Sequence, residues 1–221
     1  MRVSLSRVAL CTAAVGVMTV AGTSLAATKV VTPVKTKPVT ITDQAGDANA
    51  VNGEGFTTVP ATATPAQDAG ADILSISWQT LVKNRALGGM QVVMTLSAPP
   101  QTQTIYRATG GTSDCTTFQF NYAAFADGAT ATSLQDNCPG FTPSSATSTT
   151  ETVKLSPAVI SGNTITWTLP KNLVPAGFKP GAALTGLGGH TRLYAGTSLT
   201  GGATVPQLDE AAGPGTFIYG K

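Results

Sequence analysis

The sequence predicts an all-β protein built as an antiparallel sandwich of two sheets, on three observations. Thr contributes 36 of the 221 residues, and β-branched side chains suit strands better than helices. Gly and Pro add 24 and 14 more, against only 8 Lys and 3 Glu, so helix formers are scarce and breakers frequent. Apolar residues recur at every second position in short segments, and no stretch shows a helical period.

The first element is not part of the fold. Residues 1–26 read as a secretory signal peptide: Arg2 and Arg7 precede the apolar run Val8 to Val20, and Ser24-Leu25-Ala26 supplies a small-x-small cleavage site. Cleavage after Ala26 is expected. A retained membrane anchor is the competing reading, and the lack of a basic flank after the run favours removal. Residues 27–38 alternate Val, Thr, Lys and Pro and read as an extended leader. A single domain is expected over 39–221, with about nine strands.

Four segments carry the clearest alternation. In Asp72 to Val82, Leu74, Ile76 and Trp78 share one face; in the next, Met90, Val92, Met94 and Leu96 do, until Pro99-Pro100 stops the strand. Phe118, Phe120 and Tyr122 follow the same rule. Ile165, Trp167 and Leu169 lie opposite three threonines. Weaker strand candidates are Val39 to Thr42, Thr102 to Ala108, Glu151 to Leu155, Thr191 to Ala195 and Thr216 to Tyr219. Lys171 to Pro175 has room for one helical turn, and the Thr/Ser-rich stretch Thr142 to Thr152 reads as a loop. Each Trp shares its strand's aliphatic face, which places both between the sheets and not on a sugar-stacking platform.

Charge is sparse, at 11% of residues, which argues against a nucleic-acid protein relying on many phosphate contacts. Removing Arg2 and Arg7 with the signal leaves eleven bases against eleven acids, a formally neutral chain. Cys115 and Cys138 then remain, and in an oxidising compartment a single disulfide between them is expected. It would constrain the unfolded chain by about 3 kcal/mol on the loop-entropy model.

Candidate chemistry is concentrated near the start of the domain. Asp43, Asp47, Glu54, Asp68 and Asp72 fall in a stretch without Lys or Arg. The run Asp43-Gln-Ala-Gly-Asp47-Ala-Asn49-Ala-Val-Asn52 offers carboxylate and amide oxygens on a Gly-containing loop, the donor set a hard cation such as Ca2+ takes. Ala45 and Ala48 stand where an EF-hand needs a ligand and a turn glycine, which excludes that motif. Acids that cap turns and keep a loop soluble are the alternative reading.

Elsewhere the chemistry thins. His190 is the sole histidine, in Gly188-Gly189-His190-Thr191, and reads as a loop or strand-start residue; no Gly-x-Ser-x-Gly elbow accompanies it. Gly110-Gly111, Gly188-Gly189 and Gly201-Gly202 read as turns. No catalytic residue is assigned, and the chain is expected not to be an enzyme.

Several segments, taken in order, resemble secreted bacterial β-sandwich modules of the DOMON and family-nine carbohydrate-binding kind. They are Thr42-Asp43-Gln-Ala-Gly-Asp47-Ala-Asn49, Ala71-Asp72-Ile73-Leu74-Ser75-Ile76, Gly162 to Pro170, Gly181 to Gly186, and Asp209-Glu210-Ala211. The resemblance spans roughly Val39 to Lys221 and implies a jelly-roll-like sandwich that binds instead of catalysing. It also implies calcium between the first loop and the start of a neighbouring strand, with Asp43, Asp47 and Asp72 as ligands and Asn49 beside them. Gln44 stands where such modules frequently carry proline.

The expectation is therefore a secreted, noncatalytic binding or structural module, with Ca2+ as the one candidate cofactor and no membrane span after signal cleavage. Its partner would be an extracellular ligand such as a polysaccharide or a cell-envelope component, with nucleic acid excluded. A carbohydrate-binding protein using a sheet face, and a hydrolase with a carboxylate pair, are the alternatives.

Overall fold

Period-two burial organises the chain as two facing antiparallel sheets. The structure, a computed structural model, describes residues 36–48, 65–112, 118–136, 151–175, 177–193 and 207–221, all within the compact unit Thr32–Lys221. The signal peptide, most of the leader, Asn49, Glu54, both mature cysteines, Tyr194 and Gly201-Gly202 lie outside the described residues.

The first sheet runs in the order β1 (Val39–Thr42), β2 (Ile73–Lys83), β3 (Ala86–Leu96), β9 (Thr164–Pro170), β8 (Val159–Ser161). The second runs β11 (Gln207–Ala212), β10 (Ala183–Leu193), β4 (Thr104–Gly111), β5 (Phe118–Ala124), β6 (Thr130–Asp136), β7 (Glu151–Lys154), and β12 (Phe217–Ile218) pairs with the first residues of β10. Every pairing is antiparallel. One short helix, α1 (Pro65–Ala71), precedes β2, and Lys171–Leu173 form a single 3-10 turn.

The core lies between the sheets. Trp78, Met90, Val92, Met94, Leu96, Ile165, Trp167 and Leu169 from the first sheet meet Tyr106, Ala108, Phe118, Phe120, Tyr122 and Leu134 from the second. Both tryptophans are 0% exposed. Phe120 packs edge-on to Trp78, with ring centroids 5.7 Å apart, and reaches Trp167 at 6.5 Å. Large aromatics in such tilted contacts contribute both buried area and favourable quadrupole geometry.

The structure corrects four expectations. In β2 the pairing slips between Ile73 and Ser75, a bulge that puts Ile73 in the core and leaves Leu74 only partly buried. Gly188-Gly189 and His190 are not a turn and a strand start; they lie mid-strand in β10, paired on both sides. Gly189 is needed there because a Cβ would collide with the Arg107 carbonyl and the Ile76 side chain. Gly110-Gly111 likewise end β4, where a Gly110 Cβ would press on Leu187 at 3.1 Å. Finally, α1 and the strands β6, β8 and β11 add to the expected elements.

Candidate metal centre

Three elements converge where β1 ends. The loop after β1 turns at Gly46, whose φ of 82° is left-handed backbone that glycine adopts without strain. This turn brings Asp43 and Asp47 back toward the sheet edge. The backbone N–H of Asp43 donates to the Leu74 carbonyl at 3.0 Å, tying the loop to β2. From the far end of the sequence, β11 adds Asp209 on the inward side of its strand.

The result is a cluster of Asp43, Asp47 and Asp209 in which one carboxylate oxygen from each lies within 4.8 Å of the others. Calcium takes six to eight oxygens at roughly 2.3–2.6 Å, so oxygens on opposite sides of it stand about 5 Å apart. The spacing suits that ion, and three carboxylates supply oxygens of the required hardness. Among the described residues no nitrogen or sulfur group joins the cluster.

Asp72 stands beside this cluster as a brace. Its Oδ2 accepts the N–H of Gly46 at 2.9 Å and the hydroxyl of Ser97. It thereby fixes the turn that carries Asp43 and Asp47. Asp72 is 3% exposed, and its Oδ1 has no hydrogen-bond partner among the described residues; the buried Oδ1 of Asp47 has none either. Such atoms cost free energy unless a partner arrives, on the order of 1–3 kcal/mol each.

Asp209 is held from two directions. Its Oδ2 accepts the N–H of Ile73 at 2.6 Å and its Oδ1 the N–H of Glu210 at 2.9 Å. Burial nevertheless pushes its carboxyl up to about 7, and the charges of Asp43 and Asp47 push the same way against those two hydrogen bonds. A divalent cation among the three would remove the penalty by favouring the ionised form.

Of the four ligands expected from sequence, Asp43 and Asp47 are brought together, Asp72 stands beside them and accepts the N–H of Gly46, and Asn49 lies outside the described residues. The sequence reading does not include Asp209 in this set. The available signal was an acid two residues from Ala211, in phase with a core position, since a charge there needs a partner.

The other candidates fall elsewhere. Tyr106, Tyr122 and Tyr219 are buried, like both tryptophans, so none of these five rings offers a sugar platform. Burial raises the Tyr106 hydroxyl, whose oxygen accepts the Gln101 N–H at 2.8 Å. Among the described residues no helix is long and apolar enough to cross a membrane. No protein-family model, curated protein or solved structure significantly matches the chain.

Proposed function

We propose that this chain is a secreted, noncatalytic β-sandwich that serves as a binding or structural module and is stabilised by one Ca2+. The observation that carries the cation is the convergence of Asp43, Asp47 and Asp209, from loops and strands more than 160 residues apart, beside the buried Oδ1 atoms of Asp47 and Asp72, which have no hydrogen-bond partner among the described residues. Asp43 and Asp47 supply ligands from the first loop, Asp209 clamps that loop to β11, and Asp72 positions the Gly46 turn. Cleavage after Ala26 and a Cys115–Cys138 disulfide belong to the same reading, as the export route requires.

Melting in chelator and in several millimolar Ca2+ tests the cation, because extracellular sites with Kd of about 10⁻⁴ to 10⁻³ M fill in that range. A rise in midpoint that is lost in Asp47→Asn is expected; no rise in the parent protein overturns the calcium assignment. Alkylation followed by intact mass measurement tests export and pairing together. The reading requires a chain starting at Ala27 with no alkylated thiol.

A further inference from the structure

Charge is divided along the length of the sandwich. The sequence holds no Asp or Glu between Asp72 and Asp114, between Glu151 and Asp209, or after Glu210. These acid-free stretches meet at one end of the fold, where β2 turns into β3 and β9 stops. β2 begins beside the aspartate cluster and runs 11 residues to Lys83, so the acidic and acid-free ends stand roughly 33 Å apart.

Five cations gather at the acid-free end. Lys83 closes β2 and Arg85 lies in the hairpin turn after it. Lys171 follows Pro170, which pairs with Gly89 on β3, and so comes beside the same hairpin. Lys179 and Lys221 arrive with the end of the chain. The N–H of Gly181 donates to the Tyr219 carbonyl at 2.8 Å and that of Gly220 to Thr80 Oγ at 2.9 Å. A Cβ on Gly220 would stand 3.3 Å from Pro180 and 3.6 Å from the Leu87 side chain, which puts both lysines next to the hairpin. All five cations are exposed, and among the described residues none pairs with a carboxylate. A cleft lined by one sign of charge focuses the field and draws ligands of the other sign.

Such a cleft is present. An open groove of about 690 Å³ lies among these residues, inside the range of roughly 300–1,000 Å³ common for ligand sites. Ala86, Leu87 and Pro170 give it an apolar part, while Lys83 and Asn84 line it from the β2 side and Lys171 and Asn172 from the β9 side. β3 runs between those two sides, which puts them about two strand spacings, roughly 10 Å, apart. Leu87 and Pro170 are only partly buried, and Ala86, both lysines and both asparagines are exposed, so every wall is open to a ligand.

We infer that this groove binds a segment of an acidic polysaccharide, a sugar chain bearing carboxylates. The ammonium groups of Lys83 and Lys171 meet carboxylates as point charges, and Arg85, Lys179 and Lys221 continue the contact beyond the groove. The amides of Asn84 and Asn172 both donate to and accept from hydroxyls, and Ala86, Leu87 and Pro170 lie against ring C–H faces. Repetition of charge separates this ligand from a small anion. At 0.1 M salt exposed charges are screened beyond about 10 Å, the distance between the two sides, so a single oxyanion is held by one side and a chain with carboxylates at intervals by both. Concavity separates it from a lipid surface, since a chain enters a groove that a flat bilayer bridges. No aromatic ring lines the groove to stack on nucleic-acid bases. The inference rests on the reading of the chain as a binding module and names the class of ligand it takes.

Calorimetric titration of the exported full-length protein with hexagalacturonate tests the groove, beside the fully methyl-esterified hexamer and vesicles of phosphatidylglycerol. Chelator is present throughout, so that Ca2+ cannot bridge sugar to protein, at a temperature below the melting midpoint found in chelator. The acidic hexamer is expected to bind and its ester not to. Affinity should fall at least tenfold between about 50 and about 500 mM salt, and at least tenfold in the double variant Lys83→Gln/Lys171→Gln, whose melting midpoint stays near that of the parent. Should the double variant fail to fold, each single variant is expected to bind severalfold more weakly than the parent. Hexamer binding undiminished in the variants overturns the groove as the site. Ester binding as tightly as the acid overturns the carboxylate class, and vesicle binding without hexamer binding overturns the saccharide in favour of an anionic lipid surface. No binding of any probe overturns the inference, while the shift of the melting midpoint with Ca2+ on the same sample decides the cation reading independently.

Discussion

The carboxylate of Asp209 accepts the backbone N–H of Ile73 at 2.6 Å, joining β11 to the start of β2 across most of the domain's sequence. Ile73 is also where β2 slips register against β3, so this N–H is drawn to a side chain at the strand's irregular start. The contact between Asp209 and Ile73 therefore closes the sandwich and sets one wall of the candidate cation site. Its cost is a buried carboxylate beside two others.

That cost makes stability depend on pH in a calculable direction. Asp209 is raised from 3.8 to about 7, so between these values the folded state holds more protons than the unfolded one, and stability falls as pH rises. His190 is lowered from 6.5 to about 3 by burial first and by the charges of Arg192 and Arg107 second. Below 6.5 the unfolded state takes the extra proton, so its contribution is lost as pH falls toward 3. In chelator the two oppose each other, each with a magnitude on the order of 2 kcal/mol after solvent screening. Denaturation midpoints followed across pH 3 to 8 should lose the acid-side decline in His190→Gln and the neutral-side decline in Asp209→Asn. Unchanged profiles in both variants would show that neither group is buried as described.

Calcium affinity should carry the same signature. Near pH 7 about half of the Asp209 carboxyls hold a proton that a cation must expel. Affinity is thus expected to rise severalfold between pH 6 and pH 8, with up to one proton released per ion at the lower end. Titrations in two buffers of different ionisation enthalpy measure that release directly. Identical heats at pH 6 would remove Asp209 from the ligand set.

Gly189 tests the closeness of the two sheets. Its missing Cβ leaves room for the side chains of Ile76 and Met94 on the opposite sheet and for the Arg107 carbonyl beside it. Gly189→Ala should destabilise the protein by about 1–3 kcal/mol, the usual range for overpacking a filled core. Denaturant melts of the variant measure it. A neutral effect would mean that the sheets separate more easily at β10 than this packing implies.

How much of this was legible in the sequence differs between strands and site. β3 and β9 could be read because Met90, Val92, Met94 and Leu96, and then Ile165, Trp167 and Leu169, alternate without interruption. The part of β10 before Thr191 could not, because Gly188 and Gly189 are strand residues only when both neighbouring strands hold them, a condition that local sequence does not carry. β11 has an acid at an inward position, which breaks the apolar pattern, and the reason for that acid lies in a loop far away in sequence. Asp43 and Asp47 were visible as near neighbours on one loop. Asp209 needed the topology. The groove between Lys83 and Lys171 needed it too, since β2, β3 and β9 must pair before the two lysines line it.

The β2–β3 hairpin gives a final test, of local geometry alone. Lys83 pairs with Ala86, leaving the two-residue connection Asn84-Arg85 with φ of 52° and 63°. Two left-handed residues in succession make the turn whose twist matches that of the flanking strands, and Asn-Gly is its preferred sequence. Asn84 tolerates this conformation, whereas the Cβ of Arg85 is strained in it by about 1 kcal/mol. Arg85 is exposed, so replacing it removes little packing. Arg85→Gly is therefore expected to raise the stability by about 1 kcal/mol, set partly against the larger freedom of glycine in the unfolded chain. Thermal or urea melts decide the matter, and a loss of stability would mean that the arginine side chain makes a contact worth more than the backbone strain it imposes.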